Sequence, residues 1–477
     1  MTYPEYNPST AQELDAVIGT IEFLSVDDAP VYLRNEVHQR VVDLSPYIST
    51  APDATQLANQ LAEFDVDRVI YLIGTARPAL QLMAAAIVEL GVTVAKIEEV
   101  IRWMDVRPVG MNPLQGYLGI DIAYIVSFRL LTREQRWLLH SLSWWAVAPA
   151  TISRRHAIAV AQVSGRLLDM NVEDTDLDRL QTLAFVTPYQ MSDELAPDIP
   201  ISKITTERLR MEPYIRYIAQ SGLEDWPIPP TAPETIAEMS AVQLVAFLLV
   251  DWATSFARVV AGPTINAELQ DNAKMTENDS EDDDDDAPNL TPDPELAELT
   301  NDEMWAALEP EIPHLIRAIT TARELKTVQH IFVLCQLLIP RLRQRSEPQA
   351  YSLRHVLLET GLISSRADKS LPETFTLATQ LADLSLDEQD SERAESFAKE
   401  ALNAALGTKH MQSISFATRR LAAISLRNNH VATAKELARQ SVALARSNGD
   451  QVELTESIAL LDTAMRMDRE QTSSEEE

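Results

Sequence analysis

A mainly α protein is what this sequence predicts, ending in an array of stacked helical hairpins. Three observations carry that expectation. Only 12 of the 477 residues are glycine, too few for an α/β enzyme rich in tight phosphate loops. Alanine, leucine and glutamate are the commonest residues, and they favour helix by propensity. Near the C-terminus a two-helix pattern returns after 40 residues. Leu381 and Ala382 recur as Leu421 and Ala422, and Ala394, Ala398 and Ala401 as Ala434, Ala438 and Ser441.

Composition then narrows the function classes. The length admits about two to four domains with sizeable cores, and the 45% hydrophobic content is that of an ordinary globular chain. A formal charge of −32 repels polyphosphate backbones at long range, so nucleic acid is not an expected partner. The single cysteine, Cys335, excludes an internal disulfide and fits a reducing cytoplasm; in the run HIFVLCQLLIP it reads as a buried, inert thiol. The N-terminal MTYPEYNPSTAQEL lacks the basic and apolar regions of a signal peptide. Two apolar windows are long, but one is broken by Asp251 and Arg258 and the other by Arg77 and Pro78. Both read as buried helices, and no membrane partner is expected.

Along the chain, residues 1–107 read as a small helical domain and residues 108–225 as a second domain. Thr10 and Glu13 have capping-box spacing, and helical periodicity continues through SVDDAPVYLRNEVHQRVV and DATQLANQLAEF. In the second domain, Leu131-Thr132 followed by Glu134-Gln135 caps the helix that contains Trp137, with Trp144 and Trp145 at its far end as packing residues. Two more segments, around Arg154 and over VEDTDLDRLQTL, precede a strand-like pair, AFVTP and TERLR, closed by another helix. Residues 226–269 form a helical arm, and residues 270–300 an acidic linker whose run ENDSEDDDDDAP cannot bury apolar surface. A solenoid follows over 301–466, and 467–477 is an acidic tail.

In the solenoid, small residues let the two helices of a hairpin approach closely, and leucines fill the groove between hairpins. This resembles the tetratricopeptide pattern, with a longer turn between units than in the common repeat of about 34 residues. The stretch beginning HIFVLC is a degenerate further unit, and LTESIALLDTAMRM a terminal helix with Leu461 in register with Leu421. Stacked hairpins leave a concave face lined by the first helix of each pair. Gln380, Asp383, Arg419 and Arg420 are the candidate partner-binding residues there, suited to a protein or peptide segment.

The order of these modules resembles the NB-ARC family of the STAND class of signalling nucleotidases, over residues 10–225 and 300–466. Three local matches carry the resemblance. Gly74-Thr75-Ala76-Arg77-Pro78-Ala79-Leu80 is similar to the family's Gly-Leu-Pro-Leu-Ala turn; the Leu-Thr-x-Glu-Gln cap opens its winged helix; and Met211-Glu212-Pro213 stands at its Met-His-Asp motif. The resemblance implies that Gly74, Pro78 and Glu212 are the nucleotide-contact candidates, although Pro78 equally fits an ordinary first-turn proline and Glu212 an ordinary helix cap. It also implies a winged helix over 108–225.

Two departures stand out. No Gly-x-x-x-x-Gly-Lys-Ser/Thr run exists in the sequence, and Glu212 replaces the histidine that faces a diphosphate in the family. Glutamate beside phosphate is unfavourable, so no cofactor is expected, and ADP or ATP only if a separate nucleotide-binding domain is supplied in trans. None of the eight histidines has metal-ligand helical spacing, no nucleophile elbow or dinucleotide fingerprint is present, and no catalytic or metal residue is assigned. The helix over VEDTDLDRLQTL, which would enter a major groove, carries Glu173, Asp174, Asp176 and Asp178 against Arg179. The expectation is a non-catalytic, cytoplasmic signalling or scaffold protein that binds protein through its solenoid. The alternative is the C-terminal part of a split nucleotidase, and a winged-helix transcriptional regulator is the third reading.

Overall fold

The computed structural model describes residues 18–44, 64–109, 116–144, 151–190, 207–229, 232–276 and 300–475. The expected cap at Thr10, the helical pattern over most of DATQLANQLAEF, Trp145 and the acidic run at 277–288 lie outside those residues. The protein is mainly helical with one small sheet. It divides into two compact units: residues 1–252 with 302–314, and residues 253–301 with 315–477.

The first unit begins with five helices: α1 (Asp28–Leu44), α2 (Val66–Ile73), α3 (Arg77–Leu90), α4 (Val94–Met104) and α5 (Gly116–Phe128). The central one is α3, whose Pro78, Ala79, Leu80, Leu82, Met83, Ala84, Ala85 and Ala86 are all buried. It packs on α1 and α5, which explains why alanine rather than leucine fills its middle turns. Pro78 sits in the first turn, where its missing N–H costs nothing. Gly119 of α5 lies so close to α2 that an added Cβ would stand 1.7 Å from the carbonyl oxygen of Ile73.

The region expected to be a winged helix follows, with α6 (Arg133–Ser143), β1 (Ile152–Ser153), α7 (Arg154–Leu167), α8 (Asp174–Thr182), β2 (Thr187–Gln190), β3 (Glu207–Arg210) and α9 (Pro213–Glu224). The three strands are antiparallel with β3 in the middle, Ile152 opposite Leu209 and Pro188 opposite the same residue on the other side. The capping box that opens α6 is formed as the sequence predicts. Gln135 N–H donates to Thr132 Oγ1 at 3.2 Å, and Thr132 N–H to Gln135 Oε1 at 3.1 Å. Trp137 is fully buried, and its indole N–H donates to Ser164 Oγ at 2.9 Å, which removes the cost of an unsatisfied donor. Arg154 is paired within the domain, to Asp178 at 2.7 Å and Asp174 at 3.0 Å. The short strand β1 was not legible as a strand. Two residues cannot show a period.

Two further helices, α10 (Glu234–Ala237) and α11 (Ala241–Thr276), precede the acidic run; α11 is kinked at Gly262, where φ is 79°. Its stretch Ala241–Gly262 is long and apolar enough to cross a membrane, yet 72% of the apolar window is buried inside the protein. The helix continues through Thr276, past the expected start of the linker at 270. After the acidic run come α12 (Asn301–Leu308), a 3-10 turn (Glu309–Glu311) and α13 (Ile312–Glu324). Residues 302–314 belong to the first unit.

The second unit carries the solenoid: α14 (Val328–Leu342), α15 (Pro348–Asp368), α16 (Leu371–Asp387), α17 (Ser391–Thr408), α18 (Met411–Arg427), α19 (Val431–Asn448) and α20 (Gln451–Glu475). The 40-residue period is written in the backbone. Left-handed residues close α15, α17 and α19 at Lys369, Lys409 and Gly449, and follow α16 and α18 at Gln389 and Asn429. The extra length over a common repeat does not lie in the turns, as the sequence suggested. It lies in the helices, which run to 17 residues in α16 and α18 and 18 in α17 and α19, with connections of two or three residues. Ala394, Ala398, Ala401 and Ala405 are the buried small residues that allow the close approach. The final helix extends to Glu475, through most of the tail expected at 467–477.

The contact at Gly119 is with backbone and cannot be relieved by a rotamer change. Gly119→Ala is therefore expected to destabilise the first unit by about 3 kcal/mol or more. Gly91→Ala, which meets nothing within 4 Å but has a φ of 62°, should cost about 1 kcal/mol. Urea unfolding followed by hydrogen exchange in α2 and α5 reads the difference; equal costs would show that the close approach is not a constraint.

Candidate functional site

Gly74 and Pro78 sit at the junction of α2 and α3. Gly74 closes α2 with φ 78° and ψ −159°, a conformation that L side chains rarely adopt, and its N–H donates to Ile70 O at 2.7 Å. The turn is backed by an extended piece of chain: Leu24 N–H donates to Thr75 O at 3.0 Å and Arg77 N–H to Glu22 O at 2.9 Å. Arg77 also reaches the carboxylate of Glu22 at 2.7 Å. Glu212 is the N-cap of α9, its carboxylate accepting from Ile215 N–H at 2.9 Å. Each of the three nucleotide-contact candidates is thus used locally, two in a helix–turn–helix junction and one in a cap.

Glu212 is half-buried. Burial pushes its carboxyl above the ordinary range, only partly offset by hydrogen bonds from Ile215 and Tyr214. Asp121 on α5 accepts from the hydroxyl of Tyr214 at 3.3 Å, and burial pushes its carboxyl up to about 7. Tyr214 thus bridges two carboxyl groups that burial raises, Glu212 through its backbone N–H and Asp121 through its hydroxyl. Sequence reading found Glu212 and missed Asp121, which lies in the apolar helix GYLGIDIAYIVSF with nothing local to mark its partner.

The solenoid candidates lie on the first helices of successive hairpins, Gln380 and Asp383 on α16, Arg419 and Arg420 on α18. The structure brings Asp383 and Arg420 together as an ion pair. Arg419 turns the other way, toward α20, and binds Glu453 and Glu456 at 2.7 Å each. Gln380 is half-buried, and its Oε1 is buried with no hydrogen-bond partner among the described residues. Two residues the sequence reading did not name complete the face. Phe375 and Phe416 meet edge to face with centroids 6.4 Å apart, and the guanidinium groups of Arg419 and Arg420 stand 5.3 and 5.8 Å from the Phe416 centroid. The signal was present, since Phe416 precedes Arg420 by one helical turn.

The two arginines are not equivalent. Arg419 and Glu453 are both mostly shielded, with side chains 16% and 9% exposed, and breaking such a pair strands a poorly hydrated charge. Arg420 and Asp383 are each about a third exposed, a setting in which an ion pair is worth up to about 1 kcal/mol. Similar bridges tie the second helices, Arg366 to Glu400 and Glu359 to Arg393.

No protein-family model matches the chain, and no curated protein matches it. Among solved structures, the chain is similar to a Signal Transduction ATPase with Numerous Domains (STAND) protein with a tetratricopeptide repeat sensor from Pyrococcus horikoshii, at 10% sequence identity and a TM-score of 0.27. The match covers 82% of this chain and 57% of that one, so this chain spans less than two thirds of its length. So low a TM-score carries no argument, and the functional reading rests on this chain's own residues.

The Asp121 carboxyl gives a pH dependence with a defined sign. Its pKa is raised on folding, so its contribution to stability is present below the ordinary carboxylate value and lost as pH rises through about 7. Glu212 acts in the same direction. The melting temperature should fall between about pH 4 and about pH 7, and Asp121→Asn should flatten that slope. Parallel slopes for the two proteins would remove Asp121 as the cause.

Proposed function

We propose that the chain is a non-catalytic signalling or scaffold protein of the cytoplasm, which holds a protein or peptide segment on the face formed by α16 and α18. The observation that carries this is the half-buried aromatic pair Phe375–Phe416, with two guanidinium groups over one ring and the unpartnered Gln380 oxygen on α16. Apolar rings framed by polar groups suit a peptide held by side-chain anchors and a few directed hydrogen bonds. Nucleotide is not part of this reading. Glu212 is spent on the cap of α9, and Gly74 and Pro78 serve their own turn.

Exchanging the charges tests the face while keeping its internal pair. Asp383→Arg with Arg420→Asp preserves the attraction between α16 and α18 but inverts the pattern a partner meets. A partner identified with the full chain should bind this double variant at least about tenfold more weakly, with the melting temperature little changed. Equal affinity would show that recognition lies elsewhere.

Nucleotide is tested separately by isothermal titration of the full chain with ADP and Mg²⁺. No binding is expected at micromolar concentrations, about 8 kcal/mol of affinity being out of reach without a phosphate loop. Micromolar binding by the chain alone would overturn this expectation.

A further inference from the structure

A chain with 72 acidic and 40 basic side chains has few places where positive charge is left over. One lies on the first unit, around the ends of α4 and α5. Arg129, just past α5, lays its guanidinium over the indole of Trp103 on α4, 4.5 Å from the ring centroid. Trp103 is nonetheless 53% exposed, and Leu130, next to Arg129, is 44% exposed. The backbone beneath is fixed. Helices α4 and α5 pack on each other, and the guanidinium of Arg136 donates to Phe128 O at 3.1 Å and to Arg129 O at 2.8 Å.

Arg102 and Arg129 face one acid in common. The carboxyl of Glu99 is held below its ordinary range first by Lys96, 3.0 Å away, and further by the fields of Arg129 and Arg102. Lys96 already pairs with that carboxylate. Among the described residues neither Arg102, Arg129 nor Arg133, at the start of α6, forms an ion pair of its own. A lone exposed tryptophan would need no explanation. Here an indole, a leucine and unpaired guanidinium groups coincide, and tryptophan and arginine are the residues that carry most binding energy at protein interfaces. A guanidinium already stacked on a ring also loses little freedom when it is bound.

We propose that this patch binds an acidic segment of another protein, a run of aspartate or glutamate that carries one apolar side chain. Its carboxylates meet Arg102 and Arg129, and its apolar side chain covers Trp103 and Leu130. Charge complementarity selects this occupant. A polyphosphate strand would run on past the patch, by Glu99, Asp105 and Glu134, over a chain whose net charge is −32. A short segment need span only the arginines, and at physiological salt exposed charges more than about 8 Å away are largely screened. This surface is separate from the face on α16 and α18 and does not depend on it.

Fluorescence anisotropy on the full chain tests this. The probe is a labelled peptide of aspartates and glutamates around one central leucine. It should bind at submillimolar concentration, and the same peptide with asparagine and glutamine should not. Arg102→Glu with Arg129→Glu should weaken binding at least about tenfold, and Trp103→Ala about fivefold, both with melting temperatures near wild type. Arg427→Glu with Arg446→Glu, exposed arginines of the solenoid, makes the same change in net charge and should leave the affinity nearly unchanged. No binding of the acidic peptide, equal binding of the amide peptide, or equal weakening in the two double variants overturns the proposal. So does an oligothymidylate that binds more tightly through the same arginines, which would make the patch a nucleic-acid surface. A dimer of the full chain that dissociates in Arg102→Glu with Arg129→Glu would assign the patch to a second copy and overturn it as well.

Discussion

Helices in both units meet through positions that have almost no side chain. A Cβ on Gly119 would stand 1.7 Å from the Ile73 oxygen, one on Gly222 2.3 Å from the ring of His140, and one on Gly407 2.7 Å from Leu371. Buried alanines serve the same end, Ala84, Ala85 and Ala86 in α3 and Ala394, Ala398 and Ala401 in α17. Close approach has a consequence for energetics. An alanine buries little apolar area of its own, at about 25 cal/mol per Å², so cohesion comes from the leucines and aromatics that the approach lets interlock. Much of the rest follows from that constraint: long helices and short connections. Ion pairs on the outer faces, Arg366–Glu400 and Arg393–Glu359, link one hairpin to the next.

The parts of this architecture legible in the sequence are those with a local cause. Thr132 and Gln135 are three residues apart and cap α6 without help from any other element. The 40-residue period is visible because each hairpin meets its neighbour in the same way, and the left-handed closures at Lys369, Lys409 and Gly449 repeat it. Glu212 caps α9 for the local reason that a carboxylate suits a helix start, one of the two readings the sequence left open. The helix lengths were misjudged because the 40 residues of a unit do not say how they divide between helix and turn; the residues at 388–390 and 409–410 leave the turns short.

What was not legible depends on partners far away in sequence. In TERLR a period of two places Leu209 inward and its flanking arginines outward, yet Arg208 is as buried as Leu209 and only Arg210 is exposed. No local rule predicts this, because the acceptor that makes it tolerable is Glu311, beyond the acidic run. The same holds for Asp121, whose hydrogen bond comes from Tyr214, 93 residues on. Arg419 and Arg420 show a subtler limit. Adjacent in sequence and alike in chemistry, they part to opposite neighbours, one to Glu453 and the other to Asp383. Helical geometry separates them by about 100°, and only the stacking of hairpins decides which acid each one meets.

That division bears on how an acidic chain keeps a face for recognition. Arg419 is committed, because its removal would strand Glu453, whose side chain is 9% exposed and also lies 3.5 Å from the hydroxyl of Ser457 in the polar seam with Ser441. Arg420 is held more loosely, between an aromatic ring and a carboxylate that water also reaches. A partner carboxylate could take the place of Asp383 at small net cost, since a partly exposed pair contributes little, and Phe416 would keep the guanidinium oriented during the exchange. On the proposed reading, the residue that stabilises the array and the one that meets a partner are neighbours with different exposure, separated by where the fold lets water in.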